Sequence, residues 1–436
     1  MAQLHIRPGV PLRGRLRVPG DKSISNRFVI LAALAEGESH ARGWLASEDT
    51  LATLRCMVAL GAEVERPEED EVIVWGGGLR SLREPTDMLY CESSGTTMRL
   101  LAGLAAGQPF MTILHGSEQL RRRPMDRVAV PLRQMGATIL GREDGRLPPL
   151  AIRGGNLSGI DYEMPVASAQ VKSAILLAGL FAEGPTTVHE PAPSRDHTER
   201  MLQAMGALLA REGQNVRITP PTSSLSPITL DVPGDISSAA FLIAAGSLVR
   251  GSEITLEGVG VNPTRTGFLD VLADMGARVE RLDQRMSGGE PLADLRIRAA
   301  DGLEAVTVEG EIVPRMIDEF PILAVLATQA EGETRVRDAS ELRVKESDRV
   351  ATVVEELRKM GARIDPTEDG FTVEGPTPLQ GAEVDAHGDH RLAMTLAVAG
   401  LIAKGETVIE GAECIDKSFP QFPDLLSRLG ADVRWS

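Results

Sequence analysis

The chain has 436 residues, of which 42% are hydrophobic, 25% charged and 3% aromatic, and its formal net charge is −16. This length predicts two to three domains, and the composition is typical of a globular protein rather than a disordered or fibrous one. An acidic chain with so few aromatic residues is poorly suited to bind nucleic acid or an anionic membrane. Any anionic ligand must therefore be held by a local cluster of positive charge.

Cysteine usage and hydropathy both indicate the cytoplasm. The three cysteines, Cys56, Cys91 and Cys414, are far apart and predict neither a disulfide framework nor a CxxC metal pair. The longest apolar runs fall well short of the roughly 20 residues that span a bilayer, and the first residues lack the apolar core of a signal peptide. We expect a cytoplasmic protein without a membrane segment.

One unit recurs six times: a helix-like stretch that ends in Leu or Met, then Gly-Ala, then an alternating apolar stretch. Its glycines are separated by 75, 70, 70, 85 and 69 residues and are Gly61, Gly136, Gly206, Gly276, Gly361 and Gly430. A second series closes Ala/Leu-rich stretches at Gly37, Gly107, Gly184, Gly251, Gly332 and Gly405. Both series are expected at left-handed helix C-caps. Each unit therefore carries two helices followed by strands.

The two helices of each unit differ in pattern. The first is apolar almost all round and the second is amphipathic, so the first set is expected to be buried centrally and the second to pack outside it. The motif VPGD at 18–21 and again at 232–235 divides the chain in half. We predict two domains of three units, residues 21–232 and residues 1–20 plus 233–436, with the segment before Lys22 pairing in the second domain.

Polar and charged residues open the six buried helices, in the motifs GDKSISNR, ESSGTTMR, ASAQVKS, GDISS, MIDEF and GDHR. Free amide groups and the positive end of the helix dipole make a helix start suitable for an anion. Ordinary N-capping by Ser, Asp and Thr explains roughly half of these starts when each is taken alone. If the starts of one domain face the other domain, the gap between the domains binds anions.

Lysine is rare and concentrated in these motifs. Only six of the 46 basic residues are lysine, and four of the six fall in motif segments: Lys22, Lys172, Lys345 and Lys417. A compact ammonium that carries a transferable proton is expected to matter at these positions. Arg123, Arg349 and Arg391 each offer a planar fork that matches a carboxylate or a phosphate.

Other chemistries find little support. His387 and His390 lie three residues apart, but no cysteine or third histidine stands near them to complete a metal site. No GxSxG elbow, Walker loop or GxGxxG after a strand is present. We expect neither a metal nor an organic cofactor.

These motifs in this order resemble the enolpyruvyl transferase family, and within it the synthases that act on shikimate 3-phosphate. The similarity runs from GDKSISNR to DKSFPQFP, nearly the whole chain. It implies an α/β fold of two inside-out domains, each of three βαβαββ repeats, with the active-site cleft between them. It also implies a monomeric enzyme of aromatic amino acid biosynthesis, which transfers the enolpyruvyl group of phosphoenolpyruvate to the 5-hydroxyl of shikimate 3-phosphate and releases phosphate.

The resemblance assigns roles to the matching positions. The implied contacts of shikimate 3-phosphate are Lys22, Ser23, Arg27, Ser168, Ala169, Gln170, Arg195, Asp318 and Lys345. The implied contacts of phosphoenolpyruvate are Lys22, Gly95, Arg123, Gln170, Arg349, Arg391 and Lys417. Asp318 resembles the base near the 5-hydroxyl, Glu346 resembles the residue that exchanges the C3 proton, and Lys22 is placed to assist the departing phosphate. Because the intermediate loses the proton that it gained, an acid/base must serve in both directions.

Two alternatives stay open. An enolpyruvyl transferase that acts on UDP-N-acetylglucosamine shares the fold and the donor, but that family carries a reactive cysteine on a loop, and residues 110–123 contain none. A non-catalytic anion-binding scaffold would keep the cations but would have no use for Asp318 and Glu346.

Two further expectations concern ligands. SAQVK, SRDHTER and NPTR resemble class II bacterial enzymes, some of which tolerate the inhibitor glyphosate. Gly95 stands where certain tolerant members have alanine, so we expect intermediate or low tolerance. Since both halves contribute cations to small anions, the two domains are expected to approach each other when both substrates bind.

Overall fold

The structure, a computed structural model, describes residues 2–436. The helices, in chain order, are α1 (Lys22–Leu34), α2 (Glu48–Ala59), α3 (Gly95–Ala106), α4 (Asp126–Gln134), α5 (Arg142–Gly145), α6 (Ala169–Gly179), α7 (His197–Ala204), α8 (Ile236–Leu248), α9 (Gly267–Asp274), α10 (Phe320–Thr328), α11 (Arg349–Lys359), α12 (His390–Ile402) and α13 (Phe422–Arg428). Short 3₁₀ turns lie at Leu120–Arg122, Gly310–Arg315, Ser340–Val344 and Ala412–Lys417.

The strands alternate with these helices along the chain. In chain order they are β1 (Gln3–Arg7), β2 (Arg13–Leu16), β3 (Glu36–Arg42), β4 (Glu63–Glu65), β5 (Glu71–Gly77), β6 (Leu89–Tyr90), β7 (Met111–His115), β8 (Thr138–Gly141), β9 (Leu147–Arg153), β10 (Leu157–Ser158), β11 (Asp161–Glu163), β12 (Ala182–Glu183), β13 (Thr186–His189), β14 (Leu208–Glu212), β15 (Asn215–Thr219), β16 (Thr229–Asp231), β17 (Glu253–Gly260), β18 (Arg278–Ser287), β19 (Glu290–Arg298), β20 (Leu303–Glu304), β21 (Thr307–Val308), β22 (Ala330–Val336), β23 (Arg363–Pro366), β24 (Phe371–Gly375), β25 (Glu383–Asp385), β26 (Thr407–Glu410) and β27 (Asp432–Trp435).

Six sheets of the same topology follow one another. Their strand orders are β16-β3-β5-β4, β6-β7-β9-β8, β11-β13-β15-β14, β18-β19-β17-β2, β20-β22-β24-β23 with β21 beside β22, and β25-β26-β1-β27. In the second repeat, for example, β6 pairs in parallel with β7, and β8 and β9 add an antiparallel hairpin. A short parallel pair, β10-β12, lies outside these six sheets. The predicted α/β class with repeated βαβαββ units is confirmed.

The chain forms two compact units. The N-terminal unit consists of Gly20–Pro233 and Met286–Glu290, and the C-terminal unit consists of the residues up to Pro19, Gly234–Arg285 and Pro291–Ser436. The short segment Met286–Glu290 lies at the turn between β18 and β19, and no sequence signal indicated its place. In the C-terminal unit, β1 pairs with β26 and β27, and β2 pairs in parallel with β17.

Apolar helices form the centre of each unit. In the C-terminal unit α8, α10 and α12 pack against one another, and every residue of α10 is buried. In the N-terminal unit α3 and α6 pack closely because Gly103 has no side chain: a Cβ there would lie 2.2 Å from the Ala174 carbonyl oxygen. The helices predicted as central are therefore the buried ones, as their all-round apolar pattern requires.

The glycines that end the outer helices behave as their spacing predicts. All six of the first series have φ between +82° and +111°, a conformation that glycine adopts without steric cost. The second series behaves differently. Five of its glycines lie two or more residues beyond the C-caps of their helices, which are Ala35, Leu180, Val249, Gln329 and Ala403. Gly107 is the C-cap of α3, but its φ is −80°. A Cβ at Gly107 would lie 2.2 Å from Cδ2 of Phe181. The prediction of left-handed helix caps was therefore wrong for the second series, and at Gly107 the neighbouring ring, rather than φ, excludes a side chain.

Candidate active site

The starts of the buried helices are mostly capped by their own side chains. In the N-terminal unit, Asp21 Oδ1 accepts from Ile24 N at 2.9 Å, and Ser94 and Ser168 cap α3 and α6 in the same way. In the C-terminal unit, Asp235 and Asp389 cap α8 and α12. Ordinary N-capping thus accounts for one amide donor at each of these five starts. Capping alone therefore does not indicate an anion site, and the evidence for one comes from the other polar groups near the helix starts.

Lys22 begins α1 and faces the start of α2. Its ammonium donates to Asp49 Oδ2 at 3.1 Å, and the two side chains are 21% and 18% exposed. Ser23 follows Lys22 and is half-buried. Asp49, for which the sequence motifs predict no role, thus places a carboxylate beside the lysine expected to assist the departing phosphate.

Arg27 lies one turn further along α1 and is almost completely buried, at 3% exposure. Its guanidinium donates to Thr198 Oγ1 at 2.7 Å, to Ser173 Oγ at 2.8 Å and to the carbonyl of Ser23 at 3.0 Å. Burial and, to a smaller extent, the positive charge of Arg195 lower the pKa of Arg27 to about 10, although the nearby carboxylates of Glu199 and Asp21 oppose this shift. The repulsion between the two guanidinium groups is one that a bound anion would relieve.

Gly95, Arg123 and Gln170 come together at the start of α3. A Cβ at Gly95 would lie 3.3 Å from Arg123 Nη1 and 3.4 Å from Arg99 Nη1. The amide oxygen of Gln170 accepts from Arg99, and its amide nitrogen donates to Thr96 Oγ1 at 2.8 Å. The sequence motifs predict no role for Arg99 or Thr96. Arg99 could have been found, because it stands four residues after Gly95 and so on the same face of α3.

Asp318 is the centre of the polar groups in the C-terminal unit. It is 9% exposed. Three cations face its carboxylate oxygens at 3.7, 3.2 and 3.8 Å, and they are Lys345, Arg349 and Arg391. Two cations from the segment 345–349 and one from the GDHR motif therefore converge on Asp318.

Arg349 is buried beneath this cluster, at 2% exposure. Its guanidinium also contacts Glu346 Oε2 at 2.6 Å and Asp389 Oδ2 at 2.8 Å. Burial opposes the charge of Arg349, but the surrounding carboxylates raise its pKa above the usual value. Burial also opposes the charge of Asp389, and Arg349 holds the pKa of that carboxyl below its usual value. Asp389 belongs to the GDHR motif, but no role is predicted for it from the sequence.

Lys417 ends the last 3₁₀ turn and contacts the segment before α12. Its ammonium donates to the carbonyl oxygen of Gly388 at 3.1 Å. The next residue is Asp389, whose carboxylate binds Arg349, and Arg391 faces Asp318. Residues 388–391 thus link Lys417 to the cluster around Asp318.

Lys172 has a different environment from the other motif lysines. It is fully buried on α6, and its ammonium lies 2.8 Å from Glu190 Oε2 and 2.7 Å from Glu199 Oε1. Burial raises the pKa of Glu199, while the charge of Lys172 opposes this rise. Lys172 is therefore an internal counter-ion.

The chain is similar to known proteins over almost its whole length. A family model described as EPSP synthase (3-phosphoshikimate 1-carboxyvinyltransferase) matches residues 6–426. The chain belongs to the EPSP synthase family. This finding confirms the resemblance that the motifs indicated.

Relatives and a solved structure agree with this membership. A 3-phosphoshikimate 1-carboxyvinyltransferase from Desulforamulus reducens is 52% identical, over 98% of this chain and 99% of the relative. One from Desulforudis audaxviator is 54% identical, with the same coverage of both chains. The solved EPSP synthase from Acinetobacter baumannii is 44% identical, covers 100% of both chains and has a TM-score of 0.92. Within residues 2–436, no helix combines the length and apolarity that crossing a bilayer requires.

Proposed function

We propose that the protein transfers the enolpyruvyl group of phosphoenolpyruvate to the 5-hydroxyl of shikimate 3-phosphate and releases phosphate. The observation that carries the proposal is the convergence of Lys345, Arg349 and Arg391 on Asp318. An anion-binding scaffold has no need of a carboxylate at the centre of its cations. The relatives named above support this activity rather than the alternative of an amino-sugar transferase.

Both substrates are anions, and we assign their contacts as the family motifs imply. Shikimate 3-phosphate is proposed to contact Lys22, Ser23, Arg27, Ser168, Ala169, Gln170, Arg195, Asp318 and Lys345. Phosphoenolpyruvate is proposed to contact Lys22, Gly95, Arg123, Gln170, Arg349, Arg391 and Lys417. The grouping of Gly95, Arg123 and Gln170 within one unit supports the second set. A protein of net charge −16 needs such local cations to attract two acidic ligands.

The proposed chemistry is addition followed by elimination. In the first step the 5-hydroxyl oxygen of shikimate 3-phosphate forms a bond to C2 of phosphoenolpyruvate, and Asp318 accepts the hydroxyl proton. Glu346 donates a proton to C3. In the second step the bond between C2 and the phosphate oxygen breaks, Lys22 stabilises the departing phosphate, and Glu346 removes a proton from C3. The ion pairs of Asp318 and Glu346 with Arg349 support these roles, because they hold both carboxylates in place.

Phosphate release tests the proposal. Purified protein is incubated with phosphoenolpyruvate and shikimate 3-phosphate, with phosphoenolpyruvate and UDP-N-acetylglucosamine, or with phosphoenolpyruvate alone. Release is expected only in the first mixture. Lys22→Ala is expected to lower turnover by at least about a hundredfold, as loss of a group that stabilises a leaving anion does. Lys404→Ala is the matched control, because Lys404 is exposed. Full activity in Lys22→Ala would refute the assignment of the site.

We also propose that the enzyme acts in the cytoplasm as a monomer. The three cysteines are free thiols in the structure, as is usual for proteins of a reducing compartment. Light scattering tests the oligomeric state, and the expected mass is 46.7 kDa. A mass of twice this value would refute the monomer.

A further inference from the structure

Glu356 is a fully buried carboxylate on α11, outside the groups that the proposed reaction uses. Its Oε1 accepts from His387 Nε2 at 2.7 Å and from Lys359 Nζ at 2.8 Å. Its Oε2 accepts from the backbone N–H of Asp385 at 3.0 Å. Since a carboxylate only accepts hydrogen bonds, Nε2 of His387 carries the hydrogen. Both oxygens of Glu356 therefore hold the segment that precedes α12.

This segment needs such a hold because its backbone is unusual. His387 has φ of +49°, a left-handed conformation that few residues other than glycine adopt. Its backbone N–H donates to Asp385 Oδ1 at 2.5 Å. Glu356 thus fixes the backbone of Asp385 and the side chain of His387, on either side of the turn. Without it, the cost of the left-handed residue would favour other conformations.

The turn leads directly into the proposed site for phosphoenolpyruvate. Gly388 follows His387 and accepts from Lys417 Nζ. Asp389 comes next and binds the guanidinium of Arg349. A displacement of His387 would therefore move the carbonyl of Gly388, which binds Lys417, and the carboxylate of Asp389, which binds Arg349. Lys417 and Arg349 are both proposed contacts of phosphoenolpyruvate.

A metal site is the other interpretation of this cluster. Glu355, Glu356 and His387 offer ligand atoms that lie within 4.8 Å of one another. However, Lys359 Nζ lies 2.8 Å from Glu356 Oε1 and 3.6 Å from Glu355 Oε1. The ammonium supplies the positive charge that a cation would supply, so the contacts favour a role in positioning.

We infer that Glu356 is a positioning residue for phosphoenolpyruvate, acting through the turn at 385–388 on Lys417 and Arg349. The inference rests on the proposed function, since it assumes that these two cations bind that substrate. It predicts a selective effect. Loss of the Glu356 charge should weaken the use of phosphoenolpyruvate and leave the use of shikimate 3-phosphate nearly unchanged.

The test compares Glu356→Gln with Glu355→Gln. Both variants replace a carboxylate by an amide at adjacent positions, but Glu355 is exposed and its carboxylate pairs with the ammonium of Lys359 at 3.6 Å rather than with the turn. In Glu356→Gln the KM for phosphoenolpyruvate is expected to rise about tenfold, the effect of losing a hydrogen bond to a charged group. The KM for shikimate 3-phosphate should stay within about twofold, and Glu355→Gln should match the unmodified protein.

Each outcome decides the inference. An unchanged KM for phosphoenolpyruvate in folded Glu356→Gln refutes it, and so does an equal rise in both KM values, which would indicate a general structural role. If Glu356→Gln does not fold, His387→Gln decides in its place, because His387 is 31% exposed and the variant removes a single contact of Glu356. A selective rise then supports the inference, and no rise refutes it. Turnover by the unmodified protein tests the proposed function separately.

Discussion

Arg349 Nη1 lies 3.2 Å from Asp318 Oδ1, and the same guanidinium contacts Glu346 and Asp389. One buried cation thus holds the two carboxylates proposed as acid and base, together with a third. Because three negative charges face one positive charge, the cluster depends on two further cations, Lys345 and Arg391, which lie beside Asp318. The ion pairs of Arg349 therefore stabilise the C-terminal unit and also hold the two carboxylates proposed to transfer protons.

Asp318→Asn is expected to lower kcat by about 10² to 10⁴, the range for loss of a general base. The amide keeps the shape of the side chain but does not accept the hydroxyl proton. Phosphate release at saturating concentrations of both substrates measures the effect. Asp301→Asn is the control, since the side chain of Asp301 is 84% exposed. Activity of Asp318→Asn near that of the control would contradict the assigned role.

Arg349→Met is expected to reduce the free energy of unfolding at neutral pH by about 3–5 kcal/mol, because it leaves buried carboxylates without their partner. Arg349 lowers the pKa of Asp389, so this carboxylate stabilises the fold above its unfolded pKa of about 3.9. That stabilisation is lost as the pH falls through the lower folded pKa. The difference between Arg349→Met and the unmodified protein should therefore shrink in acid.

Urea unfolding at neutral pH and at about pH 3.5 measures this difference. Arg434→Met serves as the control, because the side chain of Arg434 is 66% exposed. An equal loss of stability at both pH values would show that lost packing, rather than charge, causes the effect.

Lys172→Met is expected to cost about 3–5 kcal/mol of unfolding free energy, since it leaves Glu190 and Glu199 buried without their ammonium. Glu199→Gln should cost much less, because burial already raises the pKa of Glu199 and a neutral side chain suits the site. Thermal unfolding of the two variants beside Lys404→Met provides the comparison. Equal losses in Lys172→Met and Glu199→Gln would contradict the ranking.

Glu199 also predicts a dependence on pH. Its folded pKa is raised, so between the unfolded value of about 4.3 and the folded value the native state holds more protons. The contribution of Glu199 to stability is therefore greatest in acid and declines as the pH rises through this interval. Glu199→Gln should lack that decline. Parallel stability curves for the two proteins between about pH 4 and pH 7 would refute this.

Gly95→Ala is expected to raise the KM for phosphoenolpyruvate a few-fold and to raise the inhibition constant of glyphosate more. The new Cβ would lie 3.3 Å from Arg123 Nη1, so this guanidinium must move by a few tenths of an ångström, and the Cβ would touch Arg99 Nη1 at 3.4 Å. Steady-state inhibition measures both constants. An unchanged inhibition constant would contradict the steric argument.

The repeat, the buried helices and the motif residues could all be predicted from the sequence. Helix ends are marked by local signals, and the regular spacing of glycines such as Gly61 and Gly136 made the repeated unit visible. The prediction of left-handed helix caps failed for the second glycine series. At Gly107, for example, the side chain is excluded by a contact with Phe181, 74 residues away in the chain, which no local pattern shows. No sequence pattern indicated that Met286–Glu290 belongs to the N-terminal unit.

The sequence by itself determined which residues carry charge and which helix start they occupy, because periodicity and capping depend on neighbours in the chain. Only the tertiary structure decided which charges meet. Arg349 and Asp389 are 40 residues apart, and His387 is 31 residues from Glu356. Folding brings such groups together through the packing of helices that share no local pattern. The pairing of charges therefore had to be read from the structure. It shows that Lys172 is a fully buried counter-ion, whereas Lys22, which we propose as a ligand contact, is partly exposed.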